Sequence, residues 1–399
     1  MCAYFYYQPH FFMRTATQIV PETPQDTVAP KPHNKRLTSL DIFRGITMMM
    51  MVLVNNPGDW NNIYYPFAHA QWHGCSMTDL IFPFFIFMMG VSMTFSLKKA
   101  KEQPELRPQA YKKAGIRAMK LIGIGLLLNL LPFFDFAHWR FMGVLQRIGI
   151  LFIISVPLFF SLDWKGLLRL SSIILIGYYL LLTRLPIPGI GMPDLNAFDQ
   201  NIGAYVDFKL MGAHLWEHAK TWDPEGLIST IPAIVTALSG ILAGLWIGHK
   251  KSTPYACVTG LMVAGFIQLI AGEWFGLGFP INKSLWTSSF VILTSGYAWL
   301  TLGALYWLLD IYRFEHRGLT FFKIFGVNAI SAFIFSNLLV KCFEAFPVNG
   351  HNLLSLLYQS AYISWMPAKT ASLAYAVTLV LLNAIPMYYL YRKNIIFKV

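Results

Sequence analysis

The chain has 399 residues, of which 56% are hydrophobic and only 13% charged, and its mean hydropathy is +0.50. Soluble globular chains carry about 25% charged residues, so a soluble fold is excluded, as are disorder and collagen. Four scattered cysteines (Cys2, Cys75, Cys257, Cys342) without CxxC or CxxxH spacing exclude a disulfide scaffold, and the net charge of +12 reads as membrane topology rather than nucleic-acid binding.

Residues 1–36 join an aromatic stretch, Tyr4 to Phe12, to a Pro/Thr-rich polar stretch. With no apolar core followed by a small-residue cleavage site, they are expected to form a disordered cytoplasmic tail rather than a signal peptide. Ten apolar spans follow, at 42–56, 79–97, 115–134, 141–162, 166–183, 227–248, 255–276, 285–309, 322–342 and 370–391. Most approach the roughly 20 residues a helix needs to cross a bilayer. The expected fold is therefore all-α: a polytopic integral membrane protein of about ten transmembrane helices, with residues 37–399 as one transmembrane domain.

With the N-terminus inside, 22 Lys and Arg fall in inner segments and 7 in outer ones. That asymmetry places both termini in the cytoplasm. The longest outer loop, 184–226, is acid-rich, carrying Asp194, Asp199, Asp207, Glu217, Asp223 and Glu225. No internal repeat is visible, so the matched halves common in transporters are missing.

The candidate chemistry begins between the first two spans, in Asn55-Asn56-Pro57-Gly58, His69-Ala70-Gln71-Trp72-His73-Gly74 and Thr78-Asp79. Imidazole moves protons near neutral pH, and a carboxylate beside it fixes its tautomer. His69 and Asp79 supply these groups; the bland alternatives are a loop histidine and a helix cap. Gln146-Arg147 lies in the fourth span, where an arginine needs an interior partner. Asp79 is the expected one, as an ion pair. Asn129 and Asn282-Lys283 fall on the same side. The opposite side carries Arg44, a basic collar including Arg117 and Lys120, and Asn328 in the ninth span. These residues would suit phosphate docking or would simply be positive-inside residues, and Asp41 and Arg44 are spaced to pair at i, i+3.

Ser39-Leu40-Asp41 to Arg44-Gly45, His69-Ala70-x-Trp72-x-Gly74 and Asp79-Leu80-x-Phe82-Pro83 resemble the heparan-alpha-glucosaminide N-acetyltransferase family. Gly143-Val144-Leu145-Gln146-Arg147, Asp223-Pro224-Glu225-Gly226, Gly240 to Gly244 and Pro280-Ile281-Asn282-Lys283-x-Leu285-Trp286 extend the likeness to residues 37–392. The resemblance implies an acyl-CoA-dependent N-acetyltransferase carrying an acetyl group from cytosolic acetyl-CoA, as co-substrate, to the amine of a glucosamine-type sugar across the membrane. The family's essential histidine corresponds to His69, as general base or transient acyl carrier, and an important asparagine corresponds to Asn55. Asp79 is expected beside them in catalysis; Trp72, Gln146, Arg147, Asn282, Lys283 and Trp286 at the acceptor; and Arg44, Arg117, Lys120 and Asn328 at the acyl-CoA. No metal is expected. The partners are an amino sugar or glycan and membrane lipids, not nucleic acid, and a homodimer stays open.

Lysosomal animal members carry a lumenal domain and an extra span ahead of this core. The short tail here points instead to a bacterial inner-membrane relative acting on a periplasmic amino sugar or cell-wall fragment, with an amino-sugar permease as the alternative. The family's external Tyr-Val-Asp-Arg reads Tyr205-Val206-Asp207-Phe208 here, removing a basic contact.

Overall fold

The computed structural model describes residues 37–249, 252–345 and 353–397. The tail of residues 1–36, read from sequence as disordered and cytoplasmic, lies outside them. The helices are α1 (Thr38–Val54), α2 (Ile81–Ser96, entered through a 3-10 turn, Thr78–Leu80), α3 (Lys98–Glu102), α4 (Arg107–Leu130), α5 (Val144–Ser161), α6 (Trp164–Arg184) and α7 (Ile202–Met211). Then come α8 (Thr230–Ile247), α9 (Pro254–Gly276), α10 (Ser288–Leu305, continued by a π-helical turn, Tyr306–Ile311), α11 (Leu319–Val327), α12 (Ala329–Ala345), α13 (Leu353–Tyr358) and α14 (Ala368–Arg392). Among the described residues there is no strand, only an isolated bridge between Ile187 and Gly191.

The all-α polytopic membrane class holds. Every one of the ten apolar stretches lies on a helix, but among the described residues seven helices are long and apolar enough to span a membrane, or eight if the bent pair α11 and α12 is one span. Two stretches fall short for different reasons. Helix α1 has 17 residues, about 25 Å at 1.5 Å per residue against a core of about 30 Å. Helix α4 carries Lys112, Lys113, Arg117 and Lys120 from near its start to just past its midpoint. The ninth stretch reads as one apolar run, yet it bends by 84° at Asn328.

Without water to drive burial, helices in a membrane gain from close packing, which small residues permit. A Cβ on Gly90 of α2 would strike the backbone of Ala237, and one on Gly240 of α8 the backbone of Phe87, so these helices meet backbone to backbone. Gly45 of α1 and Gly326 of α11 make the same kind of contact. Helices α6 and α9 instead expose most of their apolar side chains, as a lipid-facing periphery does. The first amides of α1 are capped from far away in sequence: Asp310, in the π-helical turn, accepts from the backbone N–H of Thr38 and Ser39, both at 3.0 Å.

Candidate active site at the α1–α2 loop

Helix α1 ends at Val54, and the chain crosses to α2 through a long loop that carries His69 and enters α2 at Asp79. The loop is pinned at several points. Gly74, at φ +111°, turns the backbone so that its N–H donates to the Ile281 carbonyl at 2.7 Å, a conformation that favours glycine. Trp72 is buried, donates through Nε1 to the Leu195 carbonyl at 2.8 Å and packs against Phe198 and Trp222. It anchors the long 185–229 segment. Asn282 is fully buried, meets His73 Nδ1 through Nδ2 at 3.3 Å and accepts from the Leu285 N–H, which shapes the turn presenting Lys283.

Asp79 is buried and surrounded by donors. His69 Nδ1 lies 2.6 Å from its Oδ1, while Oδ2 accepts from the N–H of Ala70 (3.1 Å), the N–H of Ser76 (3.0 Å) and the Ser76 hydroxyl (2.9 Å). Lys283 Nζ sits 3.3 Å from Asp79 Oδ1 and 3.1 Å from His69 Nδ1. With the carboxylate accepting from Nδ1–H, Nε2 is the ring nitrogen that can take up a proton. His69 itself is 42% exposed in its side chain whereas Asp79 is 1% exposed, so a buried carboxylate orients an accessible imidazole. Next to this group, burial and the charge of Asp79 push the Cys75 thiol up to about 12, which leaves it protonated at neutral pH and a poor nucleophile.

Arg147 and Asp79 do not pair, contrary to the sequence expectation. Arg147 is fully buried and donates through Nη2 to the Gly226 carbonyl at 3.1 Å and to the Ser229 hydroxyl, with its guanidinium over the rings of Trp286 and Phe82. Asp79 is already held by five donors elsewhere. Trp286, fully buried, donates to Thr236 Oγ1 at 3.2 Å, and Gln146 is buried where α4 passes close at Gly125. All three are buried in the core by placement. The ion pairs that do form lie nearby: Arg140 donates to both oxygens of Asp223 (2.8 and 2.6 Å) and to Glu225 (2.5 Å). Burial opposes its charge, but Glu225 and Asp223 outweigh that and raise its pKa. Asp207 accepts from the Leu227 N–H at 2.9 Å, and burial, aided by the charge of Asp223, pushes its carboxyl up to about 7.

Two cavities run along α1. The larger, about 420 Å³, is lined by Arg44, Arg117 and Asn328, then by apolar side chains including Met48, Phe85 and Met89, and reaches Met51 and Phe333. Three of the four residues expected at the acyl-CoA thus face one cavity, while Lys120 lies exposed on α4 outside its lining. Arg44 donates to Ser92 Oγ at 2.9 Å and pairs with Asp41 at 3.3 Å; Arg117 lies over the Phe152 ring. Asn328 donates to the Ile395 carbonyl at 3.1 Å, holding Ile396 and Phe397 at the cavity wall. The smaller cavity, about 210 Å³, also touches Met51 and Phe333 and contains Asn55 and Lys341. Phe67, two residues before His69, packs on the cluster formed by Met51, Val54 and Ile81, which ties the His69 loop to the end of α1, where Met51 lines both cavities.

Residues 36–255 match the family described as heparan-alpha-glucosaminide N-acetyltransferase, catalytic. The chain belongs to this family. Human (Homo sapiens) and mouse (Mus musculus) heparan-alpha-glucosaminide N-acetyltransferases are each 30% identical to it, over 354 and 359 residues, 75% of this chain in both cases. The alignments cover 52% and 53% of those proteins, so the chain spans about half the length of the curated relatives it matches. The family match contains His69, Asp79, Arg44, Arg117 and the Arg140 cluster, whereas Lys283, Asn328 and α12 lie beyond it. Sequence reading placed Lys283 with the acceptor contacts, and only the fold shows it against the His69–Asp79 pair. Ser336, Asn337 and Lys341, on the polar side of the smaller cavity, were not singled out from sequence. Their signal was the spacing of Asn337 and Lys341 at i, i+4 within an apolar run, which puts both on one helix face.

Proposed function

We propose that the chain is a transmembrane N-acetyltransferase that takes an acetyl group from acetyl-CoA on one side of a membrane and delivers it to the amine of a glucosamine-type sugar on the other. The observation that carries this reading is the buried Asp79 orienting the accessible His69 2.6 Å away. In this reading Nε2 of His69 removes a proton from the amine as its nitrogen attacks the thioester carbonyl. The C–S bond breaks, and the thiolate recovers that proton from the imidazolium to leave as the free thiol. His69 as a transient carrier of the acetyl group is the variant mechanism, and it would show as acetylated protein in the absence of acceptor.

The larger cavity fits the donor. Arg44 and Arg117 at one end suit phosphate or carbonyl oxygens, and the apolar wall beyond suits a slender pantetheine arm. We place Arg44 and the termini on the cytoplasmic side from the positive-inside asymmetry, which puts the His69 loop outside, as in a bacterial inner membrane. The broken helix at Asn328 is the one feature that favours an amino-sugar permease, since transporters use discontinuous helices at their sites. Proteoliposomes loaded with acetyl-CoA and given external glucosamine separate the two. N-acetylglucosamine appearing outside supports transfer, and uptake of unmodified glucosamine with no acetylated product refutes it.

A further inference from the structure

The smaller cavity lies between the end of α1 and the second half of α12, and its character differs from that of the larger one. Asn55, Asn56, Ser336, Asn337 and Lys341 make it polar over an apolar floor formed by Met51 and Phe333. The amides are already oriented. Asn56 donates through Nδ2 to the Val52 carbonyl at 2.6 Å and to Ser336 Oγ at 3.4 Å, and Asn337 donates through Nδ2 to the Phe333 carbonyl at 2.9 Å. Both N–H groups of Asn56 and one of Asn337 are therefore spent on α1 and α12, and the amide oxygens with one remaining N–H of Asn337 are the ends that can meet a ligand. A wall of carboxamide oxygens and a hydroxyl selects a ligand rich in O–H and N–H donors. At about 210 Å³ the cavity is smaller than the roughly 300 Å³ at which sites for drug-sized ligands begin, a size for a single sugar ring rather than an oligosaccharide.

We infer that this cavity is the acceptor subsite, holding one hexosamine ring by its hydroxyls and amine on Asn56, Ser336 and Asn337. The inference rests on the acetyl-transfer reading and adds the residues that would confer its specificity. The amine must reach the thioester carbonyl, and the floor of this cavity is the same Met51 and Phe333 that end the larger one. Donor and acceptor would thus approach a shared wall from opposite sides. Lys341, which donates to the Leu131 carbonyl at 2.8 Å, places a positive charge at the pocket.

The test measures binding of radiolabelled glucosamine to the purified full-length chain in nanodiscs, beside transfer kinetics. Ser336→Ala/Asn337→Ala removes two hydrogen-bonding groups, and at about 1 kcal/mol each the pair should raise the glucosamine Kd and KM on the order of 10- to 30-fold. The KM for acetyl-CoA and the melting temperature should stay unchanged. Should the alanine pair fold poorly, Ser336→Cys in a Cys342→Ser background serves instead: glucosamine should protect the new thiol from a methanethiosulfonate reagent. Unchanged glucosamine affinity in the folded double variant, or labelling that glucosamine does not slow, overturns the subsite. A wild-type chain that binds glucosamine without transferring acetyl groups would sink the acetyltransferase reading alone, because the binding measurement still judges the pocket.

Discussion

Replacing Asp79 by Asn tests the proposed chemistry most sharply, because the surroundings of the carboxylate dictate how the amide must sit. Oδ2 accepts three hydrogen bonds, two of them from backbone N–H groups of Ala70 and Ser76. An amide NH₂ turned toward them would leave buried donors facing a donor, at about 1–3 kcal/mol for each. The asparagine oxygen therefore takes the Oδ2 position, and its NH₂ takes that of Oδ1, facing His69 Nδ1. The ring must then accept at Nδ1 and carry its proton on Nε2, the tautomer that cannot act as a base toward an acceptor. Loss of a general base costs about 10² to 10⁴ in rate, or about 3–5 kcal/mol of barrier. The cost to folding is smaller, since the three Oδ2 interactions survive and only the contact with Lys283, whose side chain is 22% exposed, is lost. Acetyl transfer in proteoliposomes, normalised to monodisperse protein and set beside the melting temperature, should show a 100-fold or greater fall in kcat with a modest fall in stability. Turnover within a few-fold of wild type would refute the assignment, as would a loss of activity that merely follows a loss of folded protein.

Arg140→Leu leaves Asp223, whose side chain has no exposure, without its bidentate partner and Glu225 without its cation; breaking such a pair costs about 3–5 kcal/mol, read as a lower melting temperature that Arg140→Lys only partly restores. Asp207 binds its proton up to about pH 7 in the folded chain against an ordinary value of 3.8, so its contribution to stability is full below about pH 4 and is lost as the pH rises through 7. Asp207→Asn should therefore melt higher than wild type at pH 8 and show little advantage at pH 4, and an equal gain at both values would remove the carboxyl from the pH response.

The apolar runs carried the fold class, because a helix in lipid must be apolar along its length whatever it packs against. The proximity of His69 and Asp79 was legible too, being ten residues apart across one loop. Lys283 was read as an acceptor contact, not as a partner of this pair. It reaches the pair from 214 positions away in sequence through the tie between Gly74 and Ile281, which leaves no local pattern. Arg147 shows the limit of charge reasoning. Its need for interior partners was correct, but a carboxylate was the wrong kind, since a backbone carbonyl, a hydroxyl and two aromatic faces meet it instead. The bend at Asn328 escaped because hydropathy averages over a window, and one polar residue with a turn in direction leaves that average nearly unchanged.

That bend also bears on how a reaction could join two aqueous sides without opening a path for water. Straight helices packed by close glycine contacts, as α2 and α8 are, leave little room between them. The α11–α12 break lies where the larger cavity begins, and α12 then carries Phe333 to its end and Asn337 and Lys341 into the smaller one. A single discontinuous helix thus contributes Asn328 near the arginines, an aromatic ring at the wall between the cavities and polar groups beyond it. Met51 supplies the facing part of that wall from α1, where its side chain is buried. Under the proposed reaction the wall has opposing duties, since an acetyl group must reach across it while bulk water must not. Methionine and phenylalanine suit both, because an apolar constriction is poorly wetted and methionine has the rotamer freedom to yield to a passing chain.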